Sequence, residues 1–194
     1  MKYYELDTEG DGADEDLASV EELVTGAGYD EENYRVPRGK STQAIWPADA
    51  SLRIAKGGRR LSDLIGTTTS QVIVSRLVAD IVRSALTPAD NVEILPVTLR
   101  DSRRRILSKD YFVINPVGTV DCLDLEASEI EWDEDEPGEV IHLERPVLAA
   151  KKLTEPRSIF RLKEDPGVYV ISSILAEPLR IDTTNLFWKA LEVR

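Results

Sequence analysis

The stretch "QVIVSRLVADIVRSALTPADNVEILPVTL", residues 71–99, decides the fold. It opens with an apolar run of strand length, and Ser75 then stands where a hydroxyl can accept from the free amides of a first helical turn. Leu77, Val78, Ile81, Val82 and Leu86 recur as one helical stripe. "TPAD" ends the helix and "VEILPV" resumes as a strand. The C-terminal stretch "GVYVISSILAEPLRIDTTNLFWKALEV", residues 167–193, has the same order. Ser172 aligns with Ser75, Ile174 with Leu77, Leu179 with Val82 and Asn185 with Asn91, and Pro178 predicts a short second helix. Two weak strand–helix–strand repeats are too few for a solenoid. We expect both to pack against one sheet in similar ways, with Leu77, Ile81, Leu86, Ile174 and Leu179 in the core.

Outward from these copies, "KYYELD" predicts an opening strand, and "LASVEELV" places Leu17, Val20, Leu23 and Val24 at helical spacing before "GAG". Residues 30–50 form a long loop, "SLRIA" a strand and "KGGRR" a turn. Tyr111 to Ile114 read as a strand, and "SEIEW" and "EVIHL" as a hairpin around "EDEPG". In the second hairpin strand, Ile141 and Leu143 fall on one face and His142 on the more polar one. "IFRLK", "DPG" and "VYVI" add a strand, a turn and a strand. The fold class is α+β, with a mixed or antiparallel sheet and few helices. Residues 1–194 form a single domain, with 1–67 the less defined part and 68–194 the core.

With 194 residues, 42% of them hydrophobic, the chain can bury a real core. The start lacks the basic-then-apolar order of a secretory signal and no apolar run reaches membrane length, so a cytoplasmic protein is expected. The single cysteine cannot close an intrachain disulfide. The net charge of −12 is segregated: residues 1–32 hold twelve acids against Lys2 alone, and 121–144 hold eleven acids and no Lys or Arg. Such a distribution permits self-complementary packing or a strongly negative docking surface.

Most candidate chemistry fails on its own pattern. "PRGKST" at 37–42 lacks the earlier glycine and leading strand of a phosphate loop, and "TGAGYD" follows a predicted helix rather than a strand. Cys122, beside Asp121 and near Asp124, has the negative neighbours that suppress a thiolate, so it reads as a buried strand residue rather than a nucleophile paired with His142. Asp121, Asp124, Glu126, Glu129 and Glu131 are interleaved with leucines, unlike a calcium loop, and no second motif supports paired catalytic carboxylates. "RDSRRR" at 100–105 has no interleaved aromatics, which disfavours nucleic acid and favours pairing with the acidic stretches. No cofactor, metal or catalytic residue is expected.

"VEILPVTL" (92–99), "YFVINPVGTVDCLDLEASEI" (111–130) and "SIFRLKEDPGVYVISSIL" (158–175), with "MKYY" at the start, resemble in this order a family of bacterial immunity proteins from polymorphic toxin systems. It is the eleventh catalogued immunity family, with a myxobacterial prototype, formerly a domain of unknown function. The resemblance implies an α+β fold and a non-enzymatic protein that protects its producer by occluding a co-encoded toxin, with no catalytic residues to carry over. Its motif positions here are Asn115, Asp121, Cys122, Leu123, Asp124, Ser128 and Glu129. Pro178 departs from the longer second helix usual in the family, and residues 8–66 carry no matching motif.

"EWDEDEPGE" extends past the family motif and has no apolar residue between Trp132 and Val140, which makes it a solvated hairpin tip. Asp133, Glu134, Asp135 and Glu136, with Glu129, Glu131 and Glu139, are the candidate partner-binding residues. Their partner would be a basic toxin domain, because charge complementarity raises the association rate. The alternatives are a regulatory or scaffold module holding nucleic acid or an acidic ligand on its basic face, and an enzyme using the acidic cluster with a divalent metal.

Overall fold

The computed structural model describes residues 1–8, 14, 16–30, 32–55, 58–135, 140–180 and 183–194. Its strands are β1 (Tyr3–Asp7), β2 (Ser19–Val20), β3 (Ser51–Arg53), β4 (Leu64–Thr67), β5 (Val72–Ser75), β6 (Val92–Arg100), β7 (Ile106–Pro116), β8 (Glu129–Trp132), β9 (Val140–Arg145), β10 (Val147–Leu148), β11 (Ile159–Arg161), β12 (Tyr169–Ser172), β13 (Phe187–Ala190) and β14 (Glu192–Val193). The helices are α1 (Arg76–Ala85) and α2 (Ser173–Ala176), the latter cut short by a 3-10 turn at Pro178–Arg180. The fold is α+β. A mixed six-stranded sheet runs β2-β4-β5-β7-β6-β3, and an antiparallel four-stranded sheet runs β11-β12-β1-β13. Two small sheets, β8-β9 and β10-β14, complete it.

The two repeats share one construction. β5 and β6 both pair antiparallel with β7, which lies between them. β12 and β13 both pair antiparallel with β1, which lies between them. Each copy is therefore a β-α-β unit whose parallel strands are split by an inserted antiparallel one. The serine caps hold in both: Ser75 Oγ accepts from the Val78 amide at 3.5 Å and Ser172 Oγ from the Ile174 amide at 3.3 Å. The copies lie on two different sheets, not on one, because each inserted strand comes from outside its own repeat. Asp63 joins them, accepting from Ser75 Oγ at 2.6 Å through one carboxylate oxygen and from the Thr184 amide at 2.9 Å through the other.

Alternation then builds layers. Val72, Val74, Phe112 and Ile114 from one sheet and Tyr4, Tyr169 and Ile171 from the other enclose the helices in the central core. Ile73, Tyr111 and Val113 point the opposite way, into a second cluster with Val20 and Leu52 of the same sheet and with Val24, Tyr29 and Val36 from the N-terminal chain. Tyr3, Phe160 and Val170 face a third cluster with Cys122, Leu123, Leu143 and Leu148. Strands buried on both faces are why these runs are continuously apolar.

Three expectations need correction. Leu17, Val20 and Val24 are buried, but from extended chain: β2 pairs in parallel with β4, and no helix forms there. On α1 the buried residues are Val78, Ala79 and Val82, whereas Leu77 is 49% exposed; the stripe is rotated because α1 packs against α2 as well as its sheet. Ile81, Leu86 and Ile174 are half-buried and Leu179 is fully buried. Of "KGGRR", residues 56 and 57 lie outside the described residues.

Two buried charges fasten the loop at 36–43. Glu93, on β6, is 7% exposed and accepts from Ser41 Oγ at 2.6 Å, from the Thr42 and Gln43 amides and from Asn115 Nδ2. Arg161, on β11, is fully buried and donates to the carbonyls of Val36, Pro37, Pro116 and Pro166 and to the Tyr169 hydroxyl. Its guanidinium carbon sits 4.0 Å from the Tyr169 ring centroid. Gly39 is required where it is, with φ +63° and a position where a Cβ would come within 2.9 Å of Arg161 Cδ. The loop, which fails as a phosphate loop in sequence, thus cradles the protein's own Glu93 carboxylate.

Two tests follow from this packing. Leu179→Ala should cost about 2–5 kcal/mol and Leu77→Ala no more than about 0.5 kcal/mol, read by urea unfolding. Burial pushes the Glu93 carboxyl up, but the hydrogen bonds from Ser41, Thr42, Asn115 and Gln43 outweigh it and hold it below the ordinary 4.5. Its stabilisation is complete above that value and is lost as pH falls through the lower folded-state value. Glu93→Gln should therefore cost about 2–4 kcal/mol at neutral pH. Its stability should also fall less steeply than the native protein's between about pH 5 and pH 2.

Candidate partner-binding surface

The acidic hairpin is raised on a turn built by "DLEAS". Asp124 Oδ1 accepts from the amides of Glu126 and Ala127, both at 3.2 Å, and the Asp124 carbonyl accepts from the Ser128 amide at 2.9 Å. Ser128 Oγ accepts from the Val147 amide at 2.9 Å, fixing the end of the hairpin to β10. Asp124 and Ser128 thereby serve positioning. Asp121 is bound by Lys152 at 2.7 Å and Lys163 at 3.1 Å, and these hydrogen bonds hold its carboxyl below the usual range. With Asp121 turned to lysines and Asp124 to amides, the carboxylates of 121–131 diverge. Among the described residues no group of three or more His, Cys, Asp or Glu is arranged to hold a metal.

β8 and β9 pair with each other and, among the described strands, with no third. Their inner face rests on the third core cluster through Ile130, Val140 and Leu143. Glu131, opposite His142, faces solvent with Glu134 and Asp135; Asp133 is half-buried and accepts from the Asp135 amide at 2.7 Å. Glu129 is exposed but pairs with Arg145 at 3.3 Å, so its charge is partly spent within the hairpin. Glu136 and Glu139 lie outside the described residues.

The hairpin also exposes apolar surface that the sequence reading missed. Trp132 is 40% and Ile141 58% exposed. Ile141 was expected to share a face with Leu143, but the register shifts between Glu131 and Trp132, leaving Ile141 unpaired and turned outward while Leu143 stays buried. The adjacent apolar pair Val140–Ile141 is the only trace of this in the sequence.

The basic cluster at 100–105 closes on itself rather than on the acidic stretches. It forms the β6–β7 turn, where Asp101 accepts from the amides of Arg103 and Arg105 and from the Arg105 guanidinium. The N-terminal acids pair elsewhere, Glu22 with Arg53 and Asp14 with Arg60. His142 is exposed on the hairpin, and Cys122 is fully buried in the third cluster, in irregular chain rather than a strand, with its carbonyl accepting from the Ala149 amide at 2.8 Å. Burial, then the charges of Glu164 and Asp121, pushes the Cys122 thiol up to about 12.

No helix among the described residues is long and apolar enough to cross a membrane. Compared with known protein families, residues 2–187 match the immunity protein family (Imm11), a span that includes residues 8–66, which carry no matching motif. No curated protein matches the chain.

A buried, protonated thiol should be inert. In the native protein Cys122 should react with a maleimide at least about a hundredfold more slowly than a free cysteine and at the free rate once unfolded in urea. Cys122→Ser should cost about 1–3 kcal/mol.

Proposed function

This chain belongs to the immunity protein family (Imm11), and from that premise we propose that it binds a co-encoded toxin in the cytoplasm and neutralises it by occlusion, without catalysis. We place the docking surface on the β8–β9 hairpin, with Glu131, Asp133, Glu134 and Asp135 as its centre and Glu129 at its edge, and assign Glu136 and Glu139, outside the described residues, to it from the sequence. The observation that carries this reading is the division of labour in the hairpin. Its inner face supplies the core, while its outer face exposes Glu131, Glu134 and Asp135, for which no ion pair is formed among the described residues. Like charges held this close repel, and a basic partner relieves that repulsion on binding. Trp132 and Ile141 lie among these carboxylates and offer the apolar contact that slows dissociation, whereas the charges act on encounter.

The test is association kinetics with the purified product of the adjacent toxin gene at two ionic strengths. Reversal of Asp133, Glu134, Asp135 and Glu136 to lysine should leave the melting temperature unchanged or slightly raised. It should slow association about tenfold or more at low salt and flatten the salt dependence. Equal association rates for the two proteins at low salt would reduce the tip to a solvated face.

A further inference from the structure

A cleft of about 500 Å³ opens at the edge of the six-stranded sheet, lined by Leu23, Thr25, Leu52, Arg53, Arg100 and Arg104 together with Glu22, Ser51 and Asp101. Its charges are arranged against expectation. Arg53 on β3 and Arg100 on β6 are direct partners in the parallel ladder, a like-charge pairing that disfavours the sheet on its own. Arg104 is held beside them in the left-handed region at φ +61°, its carbonyl accepting from Arg100 Nη1 at 3.1 Å. Asp101 is taken up by Arg105, and Glu22 by Arg53. Among the described residues Arg100 and Arg104 pair with no carboxylate, so two guanidiniums at the cleft are uncompensated.

We propose that this cleft binds a phosphate monoester of nucleotide size. A phosphate monoester carries about −1.5 to −2 charges at neutral pH, which matches two guanidiniums without a carboxylate partner, whereas a single carboxylate leaves one unmet. Guanidinium forks bind phosphate oxygens in bidentate fashion. The volume is that of a small-molecule site, and the half-buried Leu23 borders it on the apolar side. Glu22 occupies Arg53 as an internal stand-in for the ligand's anion, so its removal frees a third guanidinium. None of the residues that line the cleft belongs to the acidic hairpin.

Calorimetry of the full chain with adenosine monophosphate, adenosine, inorganic phosphate and a single-stranded oligonucleotide tests this. Adenosine monophosphate should bind one to one, at least about tenfold tighter than inorganic phosphate, and adenosine should not bind. Arg100→Ala and Arg104→Ala should each weaken binding about tenfold with the melting temperature unchanged. Glu22→Gln should strengthen it severalfold, while Glu126→Gln, which removes one charge outside the cleft, should not. Absence of saturable heat with adenosine monophosphate and inorganic phosphate overturns the site, as does equal binding by Arg100→Ala and Arg104→Ala. Preference for the oligonucleotide over the mononucleotide at equal phosphate overturns the small-molecule assignment.

Discussion

The guanidinium of Arg161 is the tie on which the layered arrangement depends. A charge with no exposed surface must recover in the interior the hydration it has lost, and among the described residues no carboxylate pairs with this one. Carbonyl dipoles do the work instead. Val36 and Pro37 come from the N-terminal loop, Pro116 from the end of β7 in the six-stranded sheet, and Pro166 from the turn before β12 in the four-stranded one. One side chain thus gathers the parts of the chain that must meet, and burial, which pushes the guanidinium down from its ordinary value, is opposed by the Tyr169 hydroxyl. Glu93 is its counterpart of opposite sign, solvated by hydroxyls and amides of the same loop. The two charges do not touch; the loop between them bridges through its carbonyls at one end and its amides at the other.

This arrangement explains how two structurally similar halves become one body. Each split β-α-β unit leaves its helix as an apolar ridge, and the ridges α1 and α2 meet between the sheets. The inserted strands complete the exchange. β1 splits the second unit, so closing the four-stranded sheet requires strands far apart in sequence, such as those of Tyr3 and Ser172, to find one another. Such pairing has high contact order, which favours slow folding.

What the sequence disclosed follows from how local each signal is. "VIVS" and "YFVI" announce strands because both their faces are buried, and Ser75 and Ser172 announce helix starts because a cap acts within a turn. Leu17, Val20 and Val24 misled because their spacing suits a helix, while parallel pairing of Ser19 with Gly66 and of Val20 with Thr67, 47 residues on, decides the matter. Glu93 and Arg161 sit in strands that look ordinary, and their partners are backbone groups 51 and 125 residues away, which no spacing encodes. At the candidate site the carboxylates were legible as a run. Ile141 was not, because a bulge reverses the face that strict alternation assigns to it.

The hairpin's separation from every other described sheet has a consequence for how such a protein diversifies. Its roots are pinned by Asp124, Ser128 and the pairing of β10 with β14, and its inner face by Ile130 and Leu143. Among the described residues, neither hairpin strand pairs with a strand of another sheet. Substitutions there can accumulate in step with a changing partner while the interior stays as it is, so recognition and foldability are free to evolve at different speeds within one short segment.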